Sequence, residues 1–365
     1  MQNRFELADI EFGHILNHLL ESGTITDIEI RSNGVWTTDI TKGRTRLDTS
    51  GFTPEQIDEF YDIVGKLPQQ LSHRMVVNYN EGNPILDAEA IYKNKGLLRI
   101  NAIHETITGN SAGIAIRLTP YNLRLSRKNI LNSGYAPRPY LWLMKALIKA
   151  GCNSIFAGIT GAGKTEALKF FARYIPPNDA IITIEDTREA YLELLYPQKD
   201  VLALKSSETQ NFEHLIRASL RQNPDWILVS EARGREILEL NEAVGTGHKI
   251  ITTIHSDGVM NIPYRMVDMA KVDGQEADRL FRQIHNNIDV GAYIHYFNDE
   301  EGSHRKITEV AEYYIDEDNK PVQHMICEFD YQANDYVYHK IESPKIIRKL
   351  MRSKTDTGRM KGLFL

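Results

Sequence analysis

The stretch Gly158-Ile159-Thr160-Gly161-Ala162-Gly163-Lys164-Thr165-Glu166 has the spacing G-x-x-x-x-G-K-[ST], which suits it to holding phosphates. Glycines at 158, 161 and 163 let backbone N–H groups of the loop turn inward around a phosphate chain. A helix starting near Gly163 adds its positive dipole end. Lys164 is placed to reach β- and γ-phosphates, and the Thr165 hydroxyl to meet Mg²⁺. The expected cofactors are therefore ATP and Mg²⁺. No Asn-Lys-x-Asp guanine reader occurs, so GTP has no support.

The loop lies between an apolar strand, Ser154 to Ala157, and a helix whose Leu168, Phe171, Ala172 and Ile175 fall on one face. From Tyr140 onward, strand and helix patterns alternate, which predicts an α/β domain with a mostly parallel sheet. Ligands on such sheets sit at the carboxyl ends of the strands. There, AIITI is followed by Glu185-Asp186, WILVS by Glu231 and KIITTI by His255. Glu231 is placed to orient water for attack on a γ-phosphate, or else to cap the helix that follows. Glu185 is a candidate Mg²⁺ ligand, directly or through water, alongside Thr165 and Glu231. His255 either senses nucleotide through these carboxylates or is an ordinary hydrogen-bonded histidine. Seven residues along a strand separate it from His248, and no third ligand accompanies the two, which argues against a metal site. After Asp289 the pattern predicts an antiparallel pair that ends the domain.

The earlier chain reads as a separate α+β module. Asn33-Gly34 between DIEI and VWTT predicts a hairpin, and Thr53-Pro54-Glu55-Gln56 starts a helix with a capping box. In LLRINAI and GIAIRL the alternation leaves Arg99 and Arg117 on the less apolar faces. The expected organisation is an N-terminal domain over 1–118, a linker over 119–139, a phosphate-loop domain over 140–335 and a basic tail over 336–365. The tail's lysines and arginines surround Ile346, Ile347, Leu350 and Met351. A helix of this kind either meets anionic lipid or an acidic partner, or docks on its own protein.

Composition bounds the remainder. A net charge of −6 argues against a nucleic-acid-coating surface, so no sequence-specific nucleic acid is expected. No signal segment or apolar run of about 18 residues is present, which predicts a cytoplasmic protein. Cys152 and Cys327 have no metal spacing and read as small buried thiols.

Four blocks now stand in one order: GITGAGKTE, TIEDTRE, RASLRQNPDWILVSEARGRE and EAVGTGHKIITTIHS. Together they resemble the ATPases of type II and type IV secretion systems and type IV pili. Ile116-Arg117 before a proline-containing linker, and RASLRQNPD followed by EARG, look most like the tight-adherence pilus and type IV secretion branch. The resemblance implies a RecA-like phosphate-loop domain behind a Per-Arnt-Sim-like (PAS-like) module, and a homo-hexamer whose hydrolysis drives domain rotation. It implies partners among inner-membrane platform or coupling proteins, and a position at the inner face of the membrane. Lys164 and Thr165 then bind phosphate and Mg²⁺, Glu231 is the catalytic glutamate, Glu185 belongs to the acidic box, and His248 and His255 to the histidine box. Arg99 and Arg117 match arginines that approach nucleotide phosphates, in place of the salt-bridged surface arginines that spacing alone allows. The chain departs from the pattern at Glu166, at Ser230 where glycine is usual, and in having no cysteine-rich zinc module. A small-substrate kinase and a nucleic-acid-stimulated motor are the rival readings.

Overall fold

The computed structural model describes residues 5–6, 12–93, 95–109, 111–299 and 302–365. The chain divides into two compact units, one of residues 1–122 with 298–304, the other of residues 123–297 with 305–365.

The first unit contains β1 (Phe5–Glu6), α1 (Gly13–Glu21), β2 (Ile25–Arg31), β3 (Gly34–Asp39), β4 (Gly43–Arg46), α2 (Pro54–Met75), β5 (Ile85–Tyr92), β6 (Gly96–Ile103), α3 (Glu105–Thr108) and β7 (Gly113–Pro120). Its seven strands form one sheet in the order β1-β5-β6-β7-β2-β3-β4. The Asn33-Gly34 signal does make the β2–β3 hairpin, with Arg31 opposite Gly34. The predicted capping box is present at α2: Thr53 Oγ1 accepts from Gln56 N, and Gln56 Oε1 accepts from Thr53 N. Leu98, Ile100 and Ala102 of β6 join Phe60, Val64, Leu67 and Leu71 of α2 in the core. Alternation therefore sends Arg99 and Asn101 to the face that the helices leave uncovered.

The second unit contains α4 (Arg127–Asn132), α5 (Arg138–Lys149), β8 (Ser154–Ala157), α6 (Lys164–Ala172), β9 (Ile181–Glu185), α7 (Leu192–Leu195), β10 (Val201–Lys205), α8 (Phe212–Leu220), β11 (Trp226–Ala232), α9 (Glu236–Gly245), β12 (Lys249–Ile254), α10 (Ile262–Ala270), α11 (Gly274–Asn287), β13 (Val290–Asp299), β14 (Gly302–Ile315), β15 (Pro321–Asp330), β16 (Asp335–Tyr338) and α12 (Pro344–Arg352). The sheet order is β10-β9-β11-β12-β8-β13-β14-β15-β16. β10, β9, β11, β12, β8 and β13 pair parallel in turn. Helices cover both faces, so Trp226, Ile227, Leu228 and Val229 are all buried and the strand reads as an unbroken apolar run.

β13 runs parallel to β8 on one side and neighbours β14, the next strand in sequence, on the other; beyond it β14 pairs β15 and β15 pairs β16, both antiparallel. One expectation changes. Most of the expected linker belongs to the second unit, because Ile130 and Tyr135 are buried in its core. Of the two readings of the basic tail, docking on its own protein holds. Ile346, Leu350, Met360 and Phe364 bury their side chains there, and Lys349 pairs with the buried Asp289 at 2.6 Å. The amphipathic face of α12 is thus spent on its own unit.

α6 is buried more completely than a one-faced helix. Ala167, Leu168, Phe170, Phe171 and Ala172 all have almost no exposure, with Phe156 stacked on Phe171 at 5.3 Å. Burial of such a side chain contributes about 2–3 kcal/mol, and the effect here is to fix the helix that carries Lys164. Both cysteines are free and buried, as expected. Among the described residues no helix is long and apolar enough to cross a membrane.

Candidate nucleotide site

β8 ends at Ala157 and the chain turns sharply at Gly158. A Cβ there would stand 2.7 Å from the Ile294 carbonyl oxygen, so only glycine lets the loop pass β13. Gly163, at φ 86°, is the N-cap of α6, a backbone state that favours glycine. Within the loop, Ala162 N donates to Ile159 O at 3.2 Å. Lys164 Nζ donates to Gly158 O at 3.0 Å and Ile159 O at 3.2 Å. Burial pulls its pKa below that of an ordinary lysine, against the raising effect of Glu231. A cleft of about 630 Å³ opens beside the loop, lined by Thr160, His255, Asp257, Asn261 and Arg265 among others.

Glu231 is delivered to this place by an irregularity. Val229 pairs with Thr252 and Ala232 with Ile254, so β11 holds one more residue than β12 across Ser230-Glu231. Such a bulge re-aims a side chain. Thr253 Oγ1 donates to Ser230 O at 2.6 Å and holds the bulge. Ser230 is not among the residues of positive φ, so serine replaces glycine here without left-handed strain. The helix-capping alternative for Glu231 goes to another residue: Glu236 accepts from Arg233 N and Gly234 N at the start of α9.

Glu231 Oε1 meets His255 Nε2 at 3.0 Å, and His255 Nδ1 lies 3.3 Å from Lys164 Nζ. Burial first, and then the Lys164 charge, lower the His255 pKa, so the ring is neutral at pH 7. In the neutral tautomer that fits both contacts, Nε2–H donates to Glu231 and Nδ1 accepts from Lys164. One histidine thereby links the phosphate-loop lysine to the strand-end carboxylate, which the ordinary-histidine alternative does not require.

Arg233, which sequence reasoning missed, completes the group. Its Nε donates to Glu231 Oε1 at 2.7 Å and Nη2 to Oε2 at 3.3 Å, while Nη1 reaches Asp186 Oδ2 at 3.0 Å. The available signal was its position two residues beyond a strand-end glutamate, where period-two backbone keeps side chains on one side.

The other expected site residues lie further out. Glu185 is 1% exposed, and its Oε1 accepts from Glu189 N at 3.0 Å and Ala190 N at 2.9 Å, shaping the acidic-box turn. Burial pushes its pKa up to about 7. Its Oε2 accepts no hydrogen bond and faces Arg188 Nε at 3.7 Å. Glu166 turns to the flank of α6, where it takes Arg124 N at 2.9 Å and pairs with the buried Lys169 at 2.7 Å. His248 precedes β12 whereas His255 follows it, a separation of roughly 20 Å at about 3.3 Å per residue. It contacts Pro224 O through Nδ1 at 2.8 Å, so within one chain it is not brought to the loop. Arg99 and Arg117 stand directly opposite each other on β6 and β7 of the first unit. They line a cleft of about 810 Å³ on that unit's sheet face, with Asp27, Glu29, Asp87 and Glu89.

The family described as "Type II/IV secretion system protein" matches residues 91–290, more than half of the chain and all four motif blocks. The chain belongs to the type II/IV secretion system protein family. This membership agrees with the ATPase class read from the sequence. An uncharacterized protein of Bacillus anthracis is 34% identical over 220 residues, which are 60% of this chain and 48% of that protein. The type IV secretion system protein VirB11 of Bartonella quintana is 32% identical over 150 residues, 38% of this chain and 41% of that one. The chain thus spans less than half the length of either relative. The X-ray structure of the Legionella pneumophila ATPase DotB superposes with a TM-score of 0.59 at 17% identity, over 99% of this chain and 92% of that one, a likeness of fold.

Proposed function

We propose that this family member hydrolyses ATP with Mg²⁺ and works as a homo-hexameric motor of a secretion, conjugation or pilus apparatus, in the tight-adherence and type IV secretion branch. Lys164 and the loop amides hold the phosphates. Thr165 supplies a hydroxyl to Mg²⁺, with Glu231 and Glu185 beyond it, partly through water. This donor set suits magnesium, which keeps several waters and needs only one or two carboxylates beside the phosphates. The orphaned Oε2 of the buried Glu185 also favours a cation nearby. When bound, Mg²⁺ neutralises charge on the phosphates.

The observation that carries this reading is the Lys164–His255–Glu231 contact chain at the carboxyl ends of β8, β12 and β11. A carboxylate held there through a neutral histidine can orient the attacking water and accept its proton. Arg99 and Arg117 of the PAS-like first unit supply positive charge to the phosphates, from the same subunit or a neighbour. Partners are platform or coupling proteins at the inner face of the membrane, so the protein works in the cytoplasm as a peripheral motor.

The test is Mg²⁺-dependent ATPase activity across a wide range of protein concentration, with Glu231→Gln as the blank. Activity per subunit should rise with concentration and vanish in the blank. Flat activity from a monomer would sink the motor reading and favour a kinase. Stimulation by polynucleotide would favour a nucleic-acid motor.

A further inference from the structure

Arg305, on β14, lies far in sequence from every motif block, yet its Nε donates to the Gly161 carbonyl oxygen in the middle of the phosphate loop at 2.9 Å. Its guanidinium lies 4.7 Å from the centroid of the Tyr296 ring, on β13. Its Cδ is 3.6 Å from where a Cβ on Gly163 would stand, so the side chain runs along the outer wall of the loop. β14 also supports the loop after His255: Glu309 Oε2 accepts from Val259 N at 2.9 Å. One strand outside the motif blocks therefore touches both loops that frame the site.

A trans peptide is planar, with its C=O and its N–H pointing in opposite directions. The Gly161 oxygen and the Ala162 N–H belong to one such plane. Arg305 holds the oxygen outward, and the Ala162 N–H accordingly turns across the loop, where it donates to Ile159 O. A planar guanidinium stacked on an aromatic ring has little freedom left to lose, so it is a well-organised donor.

We infer that Arg305 is a positioning residue for nucleotide binding: by fixing the Gly161–Ala162 peptide plane, and with it the turn closed by Ala162 N–H on Ile159 O, it presets the backbone shape of the phosphate loop. This rests on the nucleotide-binding reading given above. A charge-assisted hydrogen bond to a carbonyl is among the stronger kinds. Its loss from a preorganised loop appears mainly as weaker nucleotide binding, because the loop must then be ordered at the moment of binding.

The experiment compares wild type, Arg305→Met, Arg305→Lys and Lys164→Ala in the full chain, by titration with a fluorescent ADP analogue and with ATP in turnover assays. Methionine keeps the apolar stem against Tyr296 and removes the donor; lysine keeps charge without the fork. We expect Arg305→Met to raise Kd and KM about tenfold, with kcat within about twofold and Tm within a few degrees of wild type. Arg305→Lys should recover part of the affinity. Unchanged Kd in Arg305→Met would overturn the inference, as would an affinity loss that only tracks a falling Tm. Absence of nucleotide binding in the wild type, with Lys164→Ala no worse, would instead overturn the nucleotide reading.

Discussion

On the uncovered face of the first sheet, Glu89, Arg99, Arg117 and Asp27 stand in register on β5, β6, β7 and β2, a lateral row reading minus, plus, plus, minus. In the second sheet the charged residues stand at strand ends instead: Glu185 closes β9, Glu231 is the last residue but one of β11, and His255 directly follows β12. Neighbouring arginines opposite one another repel, and the row is tolerable because an acid flanks each. Arg117 Nε meets Asp27 Oδ1 at 2.6 Å, a pair whose arginine is half in solvent and so worth about 1 kcal/mol. The strand-end group is burdened differently. Lys164 and Glu185 are buried, and burial shifts both pKa values toward the neutral form. A row along a sheet keeps its charges in solvent, where they can meet an incoming anion. A cluster at strand ends is partly desolvated, and its partners are fixed before any ligand arrives.

The comparison breaks most sharply at Glu231. Replacing it with Gln keeps the shape but removes the charge that His255 and Arg233 hold, and turnover should fall about a thousandfold. Nucleotide affinity should stay within severalfold of wild type, measured by titration with the same analogue. Residual turnover above a tenth of wild type would move the catalytic role elsewhere in the group. The lateral row gives the next largest effect. Arg99→Ala and Arg117→Ala should each lower kcat on the order of a hundredfold if their charge meets the phosphates in the transition state. Their Tm should barely move, since both arginines stand on a partly exposed sheet face where charge pairs contribute little. Unchanged kcat in both variants would reduce the row to a solvated surface.

Much of the second site was legible because its parts are local. A glycine-rich turn between an apolar strand and a helix carries its own signal, and the residue after each apolar run marks a strand end. Leu98, Ile100 and Ala102 likewise placed Arg99 by alternation alone. What sequence could not reveal depended on long-range pairing. The β13 pattern is that of any strand, and only its partner β8 makes it parallel. Arg305 reaches Gly161 across 144 residues, and nothing in its neighbourhood announces that contact. The basic residues around α12 left lipid, an acidic partner and docking on the protein itself open, and only the long-range turn of Lys349 and Lys345 to the buried Asp289 decides for docking. Glu185 read as a ligand by position, but the two backbone amides it caps come from a turn whose shape the sequence does not specify.

The α12 anchor is a purely structural counterpart to the two charged sites. Asp289 Oδ2 accepts from Asn153 N at 2.6 Å and from Lys349 Nζ at 2.6 Å, and Lys345 Nζ lies 3.5 Å from Oδ1. Asp289→Ala leaves two lysines without their buried counter-ion and should cost about 3 kcal/mol in denaturant unfolding of the second unit. Lys349→Ala should cost less, because Lys345 still faces the carboxylate. Equal and negligible losses would mean that apolar burial of Ile346, Leu350 and Phe364 alone holds the tail.

The smallest expected effect separates what Glu185 does for the fold from what it does for the site. Its folded pKa is raised from 4.5 to about 7 by burial, so between those values the folded state holds a proton that the unfolded state has lost. Stability is therefore highest below the unfolded value and falls as pH rises through the folded one. The linkage relation places on the order of 1 kcal/mol of that loss between pH 6 and pH 8. Glu185→Gln cannot ionise, so without Mg²⁺ its Tm should change less over this range than that of wild type. Added MgADP should erase the difference if a cation lies near the carboxylate, because it favours the ionised form and returns the pKa toward its ordinary value. If the two proteins show the same pH slope without nucleotide, the carboxylate is ionised throughout, and Arg188 outweighs the cost of burial. If they differ, and MgADP leaves the difference intact, Glu185 shapes the acidic-box turn without approaching the metal.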